Sequence, residues 1–288
     1  MRAYNCPSCG AELLCEASTA ATSCPYCGNP SIVPGQLQGM LKPDYVIPFQ
    51  LDKEAAKAAL RKHYQGKRLL PKSFTRENHI DEIKGIYVPF WLFDGEADAD
   101  LFYNAERTHT VQTRDERITT TEHFNLRRAG TVRFERIPVD ASSKMPDPYM
   151  DALEPFDYAQ MREFSTAYLP GYYADKYDVS VDDSAARADK RVEQTVRQIM
   201  RKTCTGYASV REVGGEVRLR RGSVHYALLP VWMLNTSWRG KNFMFTMNGQ
   251  TGKIVGDLPV DKSRWWTRFL VTAAIVALAF TALLTFFF

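Results

Sequence analysis

The chain has 288 residues, 45% of them apolar and 24% charged, with a net charge of +4. That composition excludes a wholly disordered chain, and the mild basicity excludes a dedicated nucleic-acid coat. The length holds a small metal module, one or two globular units and a tail, but not the two motor lobes of a helicase.

The chain opens with Cys6-Pro7-Ser8-Cys9-Gly10 and then Cys24-Pro25-Tyr26-Cys27-Gly28. A Cys-x-x-Cys pair turns both thiolates towards one point, and two facing pairs complete a tetrahedron. Four thiolates with no open position suit a structural Zn²⁺. The glycine after each second cysteine lets the chain turn back with φ > 0, so that N–H groups can face the sulfurs. The spacing predicts a zinc ribbon over 1–33 with ligands Cys6, Cys9, Cys24 and Cys27, and one β-hairpin between the two pairs, from Ala11 to Ser23. Two disulfides are the other arrangement. They need an oxidising compartment, and no secretory signal peptide precedes the motif. Cys15 and Cys204 have no close partner in sequence and read as buried or bystander thiols.

Residues 34–43 carry proline and glycine without periodicity and read as a linker. A short strand is expected over 44–49. Asp52 then caps a helix over 53–64 with Ala55, Ala56, Ala59, Leu60 and His63 or Tyr64 on its apolar stripe. Residues 85–93 form a dense apolar strand. From about 98 to 139 the pattern alternates, which predicts an antiparallel meander with turns at Arg114-Asp115 and Arg128-Ala129-Gly130. Residues 140–178 are irregular and rich in aromatic rings, with a short helix near 157–162. Ser180 and Asp183 start a helix that runs to about Lys202, with its stripe at Ala185, Ala188, Val192, Val196, Ile199 and Thr203. A hairpin joined at Gly214-Gly215 follows. Apolar and alternating strands come next, at 225–234 and 241–247, with a tight turn over 248–252.

One segment recurs. Tyr87-Val88-Pro89-Phe90-Trp91-Leu92-Phe93-Asp94 matches Leu228-Leu229-Pro230-Val231-Trp232-Met233-Leu234-Asn235. An amphipathic helix precedes each at a distance. The fold class expected is therefore α+β: a four-cysteine zinc ribbon, a duplicated body with units at 44–140 and 141–260, and a membrane tail. Trp91 and Trp232 are expected as core anchors rather than ligand contacts.

Phe269 to Phe288 contains no charged residue. As a helix it spans roughly 30 Å, the thickness of a bilayer core. Lys262, Arg264 and Arg268 precede it, with Trp265-Trp266 at headgroup depth. The positive flank predicts a single-pass anchor with residues 1–268 in the cytoplasm, the side on which zinc thiolates persist. No polar residue follows Phe288, so the anchor ends in the membrane or the natural chain continues.

No phosphate loop, nucleophile elbow or H-E-x-x-H motif occurs, and no catalytic residue is assigned. Basic clusters stand at Lys67-Arg68, at Arg127-Arg128 with Arg133 and Arg136, and at Arg218, Arg220 and Arg221. Acidic residues interrupt them all, so a solvated strand face is the first expectation and an anionic-ligand surface the second.

The motifs CPSCG, CPYCG, VIPF, GIYVPFW, LPGYYADKYDV, LLPVWMLN and MNGQTGKIVGDLP, with the apolar tail, together resemble the bacterial membrane-anchored zinc-ribbon proteins, which often carry a transcription-factor-IIB-type zinc-ribbon label. The resemblance implies Zn²⁺ on Cys6, Cys9, Cys24 and Cys27 and a membrane location, and it brings no established activity. The function expected is a non-enzymatic adaptor or scaffold at the cytoplasmic face, contacting the bilayer and a protein partner. The alternatives are a nucleic-acid-binding protein tethered at the membrane and an enzyme whose site is assembled from distant residues.

Overall fold

The computed structural model describes residues 2–5, 8, 12–15, 19–23, 30–32, 41–71, 73–74, 80–114 and 116–287. Strands are β1 (Arg2–Asn5), β2 (Glu12–Cys15), β3 (Thr19–Ser23), β4 (Pro30–Ile32), β5 (Tyr45–Val46), β6 (Lys84–Gln112), β7 (Arg117–Asp140), β8 (Arg162–Glu163), β9 (Tyr173–Asp175), β10 (Ser209–Trp238), β11 (Lys241–Asn248) and β12 (Ile254–Gly256). Helices are α1 (Lys53–Tyr64), α2 (Asp147–Ala152), α3 (Val181–Lys202) and α4 (Lys262–Phe287). The α+β class is as expected.

The chain divides into two compact units whose stretches alternate along the sequence. The first comprises 1–47, 87–147 and 160–229. The second comprises 48–86, 148–159 and 230–288. The sequence reading places units consecutively at 44–140 and 141–260; contacts instead give each unit three separate stretches of chain.

In the first unit the strand order is β10–β6–β9–β3–β4, with β7 also on β6, the short β5 on β10 and the short β8 on β5. β6 and β7 form one long hairpin, from Phe90 opposite Asp140 to Gln112 opposite Arg117. The hairpin closes where a turn is expected, with the Thr113 N–H donating to the Glu116 carbonyl; Asp115 lies outside the described residues. The turn expected at 128–130 is absent: Arg128, Ala129 and Gly130 lie in mid-strand opposite Leu101, Asp100 and Ala99. A lone glycine between alternating residues is compatible with a strand interior, and twenty-odd cross-strand pairs outweigh its small local cost.

The hairpin expected at Gly214-Gly215 is also absent, because β10 runs through both glycines. β10 is antiparallel to β6: Gly222 lies against Asp94, Gly215 against Asp100 and Ala208 against Glu106. Gly215 has φ +112°, and a Cβ there would stand 2.2 Å from the Asp100 carbonyl oxygen. Close strand contact, rather than a turn, requires this glycine.

α3 covers the β6–β7 hairpin. The Ser180 hydroxyl accepts from the Asp183 N–H and caps the helix as expected. Ala185, Ala188, Val192, Val196 and Met200 are buried. Val192, Val196 and Met200 pack on Ala97, Ala99, Leu101 and Tyr103 of β6. Ile199, assigned to the stripe from sequence, is 40% exposed. The step from Val196 is four residues, to Met200, which keeps the seam straight along the sheet.

The second unit holds α1, the 230–238 end of β10, β11 and β12. Asp52 accepts from the Ala55 N–H at 2.8 Å, and Ala56, Leu60 and Tyr64 are buried. Tyr64 packs edge-on against Phe74 and Phe245, and Phe74 against Phe243. Each fully buried Leu or Phe contributes about 1.5–3 kcal/mol, so this ring cluster adds to the unit's stability. The turn over 248–252 is as expected: the Asn248 side-chain oxygen accepts from the N–H groups of Gln250 and Thr251, and Gly252 has φ +76°.

One set of contacts occurs in both units. In the first, the Ala141 N–H donates to the Pro89 carbonyl, and the Ala141 carbonyl accepts from Asp178 and Val179. The Trp91 indole donates to the Val179 carbonyl and packs on Tyr177. In the second, the Gly249 N–H donates to the Pro230 carbonyl, and the Gly249 carbonyl accepts from Gln50 and Leu51. The Trp232 indole donates to the Leu51 carbonyl and packs on Phe49. Both tryptophans are almost fully buried, at 2% and 4% exposure, as expected of core anchors. The helix that completes each arrangement is not the one preceding its tryptophan. Trp91 is braced by the entry to α3, and Trp232 by the entry to α1.

Candidate functional site

The four expected zinc ligands, Cys6, Cys9, Cys24 and Cys27, lie outside the described residues. The strands around them are described. β1 pairs with β2 across 6–11, Asn5 opposite Glu12. β3 pairs with β4 across 24–29, Ser23 opposite Pro30. Each Cys-x-x-Cys therefore falls in the connection of its own hairpin. The sequence places one hairpin between the two pairs, at Ala11 to Ser23; among the described residues β2 pairs with β1, and β3 with β4. Four cysteine thiols are, by their chemistry, a donor set that suits tetrahedral Zn²⁺. β3 also pairs with β9, Thr19 opposite Asp175 and Ala21 opposite Ala174. Among the described residues no three His, Cys, Asp or Glu side chains gather as metal ligands. Cys204 is buried, with its thiol 3.8 Å from the Met200 carbonyl, as expected of a bystander.

The basic clusters on the strands are met by carboxylates. Arg127 makes two 2.7 Å hydrogen bonds to Asp100. That paired guanidinium holds the Asp100 carboxyl below the usual carboxylate range. Arg220 lies 3.1 Å from both Glu96 and Asp98. Arg221 grips Asp189, Arg218 pairs with Glu216, and Arg133 lies 3.4 Å from Glu135. The strand histidines stand beside carboxylates too: His109 is 3.8 Å from Glu122, His123 is 3.5 Å from Glu106, and His225 is 3.6 Å from Asp94. A face that alternates sign in this way presents little net positive field.

The second unit carries a different arrangement at the start of α4. The helix begins at Lys262, ahead of the Phe269 expected from composition, because Asp261 caps it. The Asp261 carboxylate accepts from the N–H groups of Ser263 and Arg264 at 3.1 and 3.2 Å. Two bonds tie this start to the 69–70 loop: the Asp261 N–H donates to the Leu69 carbonyl, and Arg264 to the Leu70 carbonyl at 3.1 Å. Beside the helix start is an open groove of about 1020 Å³. Trp238, Phe243, Val260 and Trp265 supply its apolar wall, and Arg239, Lys241, Lys262 and Asp261 its charged groups. Arg239 stacks over the Trp238 ring at 4.5 Å. Sequence reading missed Arg239 and Lys241, since nothing in the chain links 239–241 with 262.

α4 is the one described helix long and apolar enough to cross a membrane, and none of its apolar window is buried. The features above define an α+β protein of two units that alternate along the sequence, with a C-terminal helix suited to a bilayer. The chain is 36% identical to "Uncharacterized protein YdjG" of Bacillus subtilis (strain 168) over 310 residues, covering 91% of each chain, and belongs to its family. No family model matches the chain, and no solved structure does.

Proposed function

We propose that the chain is a membrane-anchored zinc-ribbon protein acting as an adaptor or scaffold at the cytoplasmic face. The observation that carries this is α4, which continues without a break from a capped start tied to its unit into an uncharged, exposed apolar stretch. The Trp265-Trp266 pair and the cations before Phe269 sit where headgroups would anchor them, and they favour an N-terminal cytoplasmic side. In this reading Cys6, Cys9, Cys24 and Cys27 hold one structural Zn²⁺, and the pairing of β3 with β9 supports a ribbon joined to the first unit's sheet. The twofold set of Trp91 and Trp232 contacts supports a body that arose by duplication, each repeat lending its helix to the other's strands.

The test has two arms. Metal analysis of the full chain in detergent should give one zinc per chain, and Cys6→Ser with Cys9→Ser should abolish it. Proximity labelling in cells should give a neighbour set that the same double variant loses; an unchanged set would remove the ribbon as the contact module. Nucleic-acid binding stands second, because Arg127, Arg218, Arg220 and Arg221 are already engaged by carboxylates. A steeply salt-dependent association of the full chain with DNA or RNA would restore it.

A further inference from the structure

We propose that the groove beside the start of α4 is a binding site for the headgroup and upper acyl chain of an anionic phospholipid. The proposal rests on the membrane reading of α4. Three cations line the groove: Arg239, Lys241 and Lys262. None of them has a carboxylate partner among the described residues, in contrast to the paired arginines of the first unit. Asp261 also lines the groove, and its carboxylate is occupied by the N–H groups of Ser263 and Arg264 and by the Arg264 guanidinium at 3.4 Å. Three cations against one already engaged carboxylate leave the groove with a net positive charge.

The walls suit the rest of such a ligand. Trp238, Phe243, Val260 and Trp265 are apolar, and the groove is continuous with the helix that would enter the hydrocarbon. Trp265 and Trp266 are 44% and 55% exposed, an exposure that water penalises and an interface favours. Arg239 is held in place at a cost. It has φ +50° and, with Gly240 at φ +74°, forms the two-residue turn between Trp238 and Lys241. Asn or Gly takes the first position of such a turn with less strain. A strained arginine whose guanidinium stacks on Trp238 beside two other cations has a ligand-side explanation: its charge is set at the depth where a phosphodiester would lie. A zwitterionic lipid brings its own cation into this field and is disfavoured; a lipid with net negative charge is selected.

The full chain is reconstituted into vesicles of phosphatidylcholine alone or mixed with phosphatidylglycerol. Flotation with pure phosphatidylcholine vesicles reads the anchor by itself. Native mass spectrometry from mixed micelles and quenching of tryptophan by brominated lipids read the groove. We expect flotation in both vesicle types, retention of phosphatidylglycerol over phosphatidylcholine by roughly tenfold or more, and loss of that preference as salt rises. The variant with Arg239→Gln, Lys241→Gln and Lys262→Gln should still float and lose the preference. Flotation without lipid preference, or a preference that survives in the variant, overturns the headgroup site and leaves the anchor standing. Failure to float overturns the anchor and the site with it. Arg239→Asn alone should relieve the turn and raise thermal stability while weakening phosphatidylglycerol retention; unchanged retention counts against the role of Arg239.

Discussion

The Trp232 indole N–H donates to the Leu51 carbonyl at 3.1 Å, one residue before the α1 cap Asp52. The same bond joins Trp91 to Val179 at 3.0 Å, one residue before the α3 cap Ser180. Each tryptophan thus fixes where a helix enters, and the helix comes from the other half of the chain. Helix and strand can exchange in this way because the contact set is local: a proline carbonyl, a strand-end N–H, an indole and a capped helix start.

If the two contacts are equivalent, their loss should cost similar amounts. Trp91→Phe and Trp232→Phe each keep a ring in the core and delete the indole donor. Each should destabilise by about 1–3 kcal/mol, the penalty of an unmet buried acceptor with some lost packing. Urea denaturation of the full chain in detergent measures it. A large effect at one position and none at the other would break the equivalence.

Much of this was legible in the sequence where the physics is local. The α1 bounds, both N-caps, the 248–252 turn, the buried tryptophans and the apolar tail follow from capping chemistry, periodicity and length. What was not legible was pairing at a distance. Alternation shows that residues 98–139 are strand, but a continuous strand through Arg128-Ala129-Gly130 and one with a turn there alternate alike. Gly214-Gly215 has the composition of a hairpin, and only the Asp100 backbone beside it gives another reason for glycine. The exchange of α1 and α3 escapes because neighbours in sequence usually pack together, and nothing in residues 53–64 says which apolar strand they cover. The groove at α4 escapes for the same reason: Arg239 and Lys262 meet only through the fold.

The two adjacent glycines in β10 should differ sharply. Gly215→Ala adds a Cβ 2.2 Å from the Asp100 oxygen at φ +112°, where alanine is strained in any surroundings. The expected cost is about 3 kcal/mol or more. A Cβ at Gly214 meets nothing within 4 Å. Gly214→Ala should lie within about 0.5 kcal/mol of the parent. Thermal melts of the pair decide it, and equal effects would mean that the glycines serve a turn after all.

Acid should weaken the second unit through His63. Burial first, and then the Lys67 charge, push the His63 imidazole below its ordinary value of 6.5. The folded state therefore binds this proton more weakly than the unfolded state does. The stability contributed is complete above the ordinary histidine value and is lost as pH falls through it towards the lowered one. His63→Gln should flatten the fall in stability between about pH 7.5 and about pH 5. An unchanged slope in denaturation midpoints would show that His63 is solvated.

The two matching contact sets fill one buried position in opposite ways, which gives the last test. Asp140 and Asn248 are matched strand ends, paired with Phe90 and Val231. Asn248 is neutral and fully buried, and its amide donates to the Leu153 and Pro155 carbonyls. Asp140 is 3% exposed, and the Arg187 guanidinium lies 2.7 Å from its carboxylate. A buried carboxylate depends on its cation far more than an amide would. Arg187→Met should therefore destabilise by about 3–5 kcal/mol. Most of that penalty is the stranded charge, so adding Asp140→Asn should restore part of the loss, since asparagine already serves at 248. A double-mutant cycle on denaturant midpoints reads the coupling. Additive costs would mean that Arg187 acts through Asp147, which it also approaches at 3.0 Å, and not through Asp140.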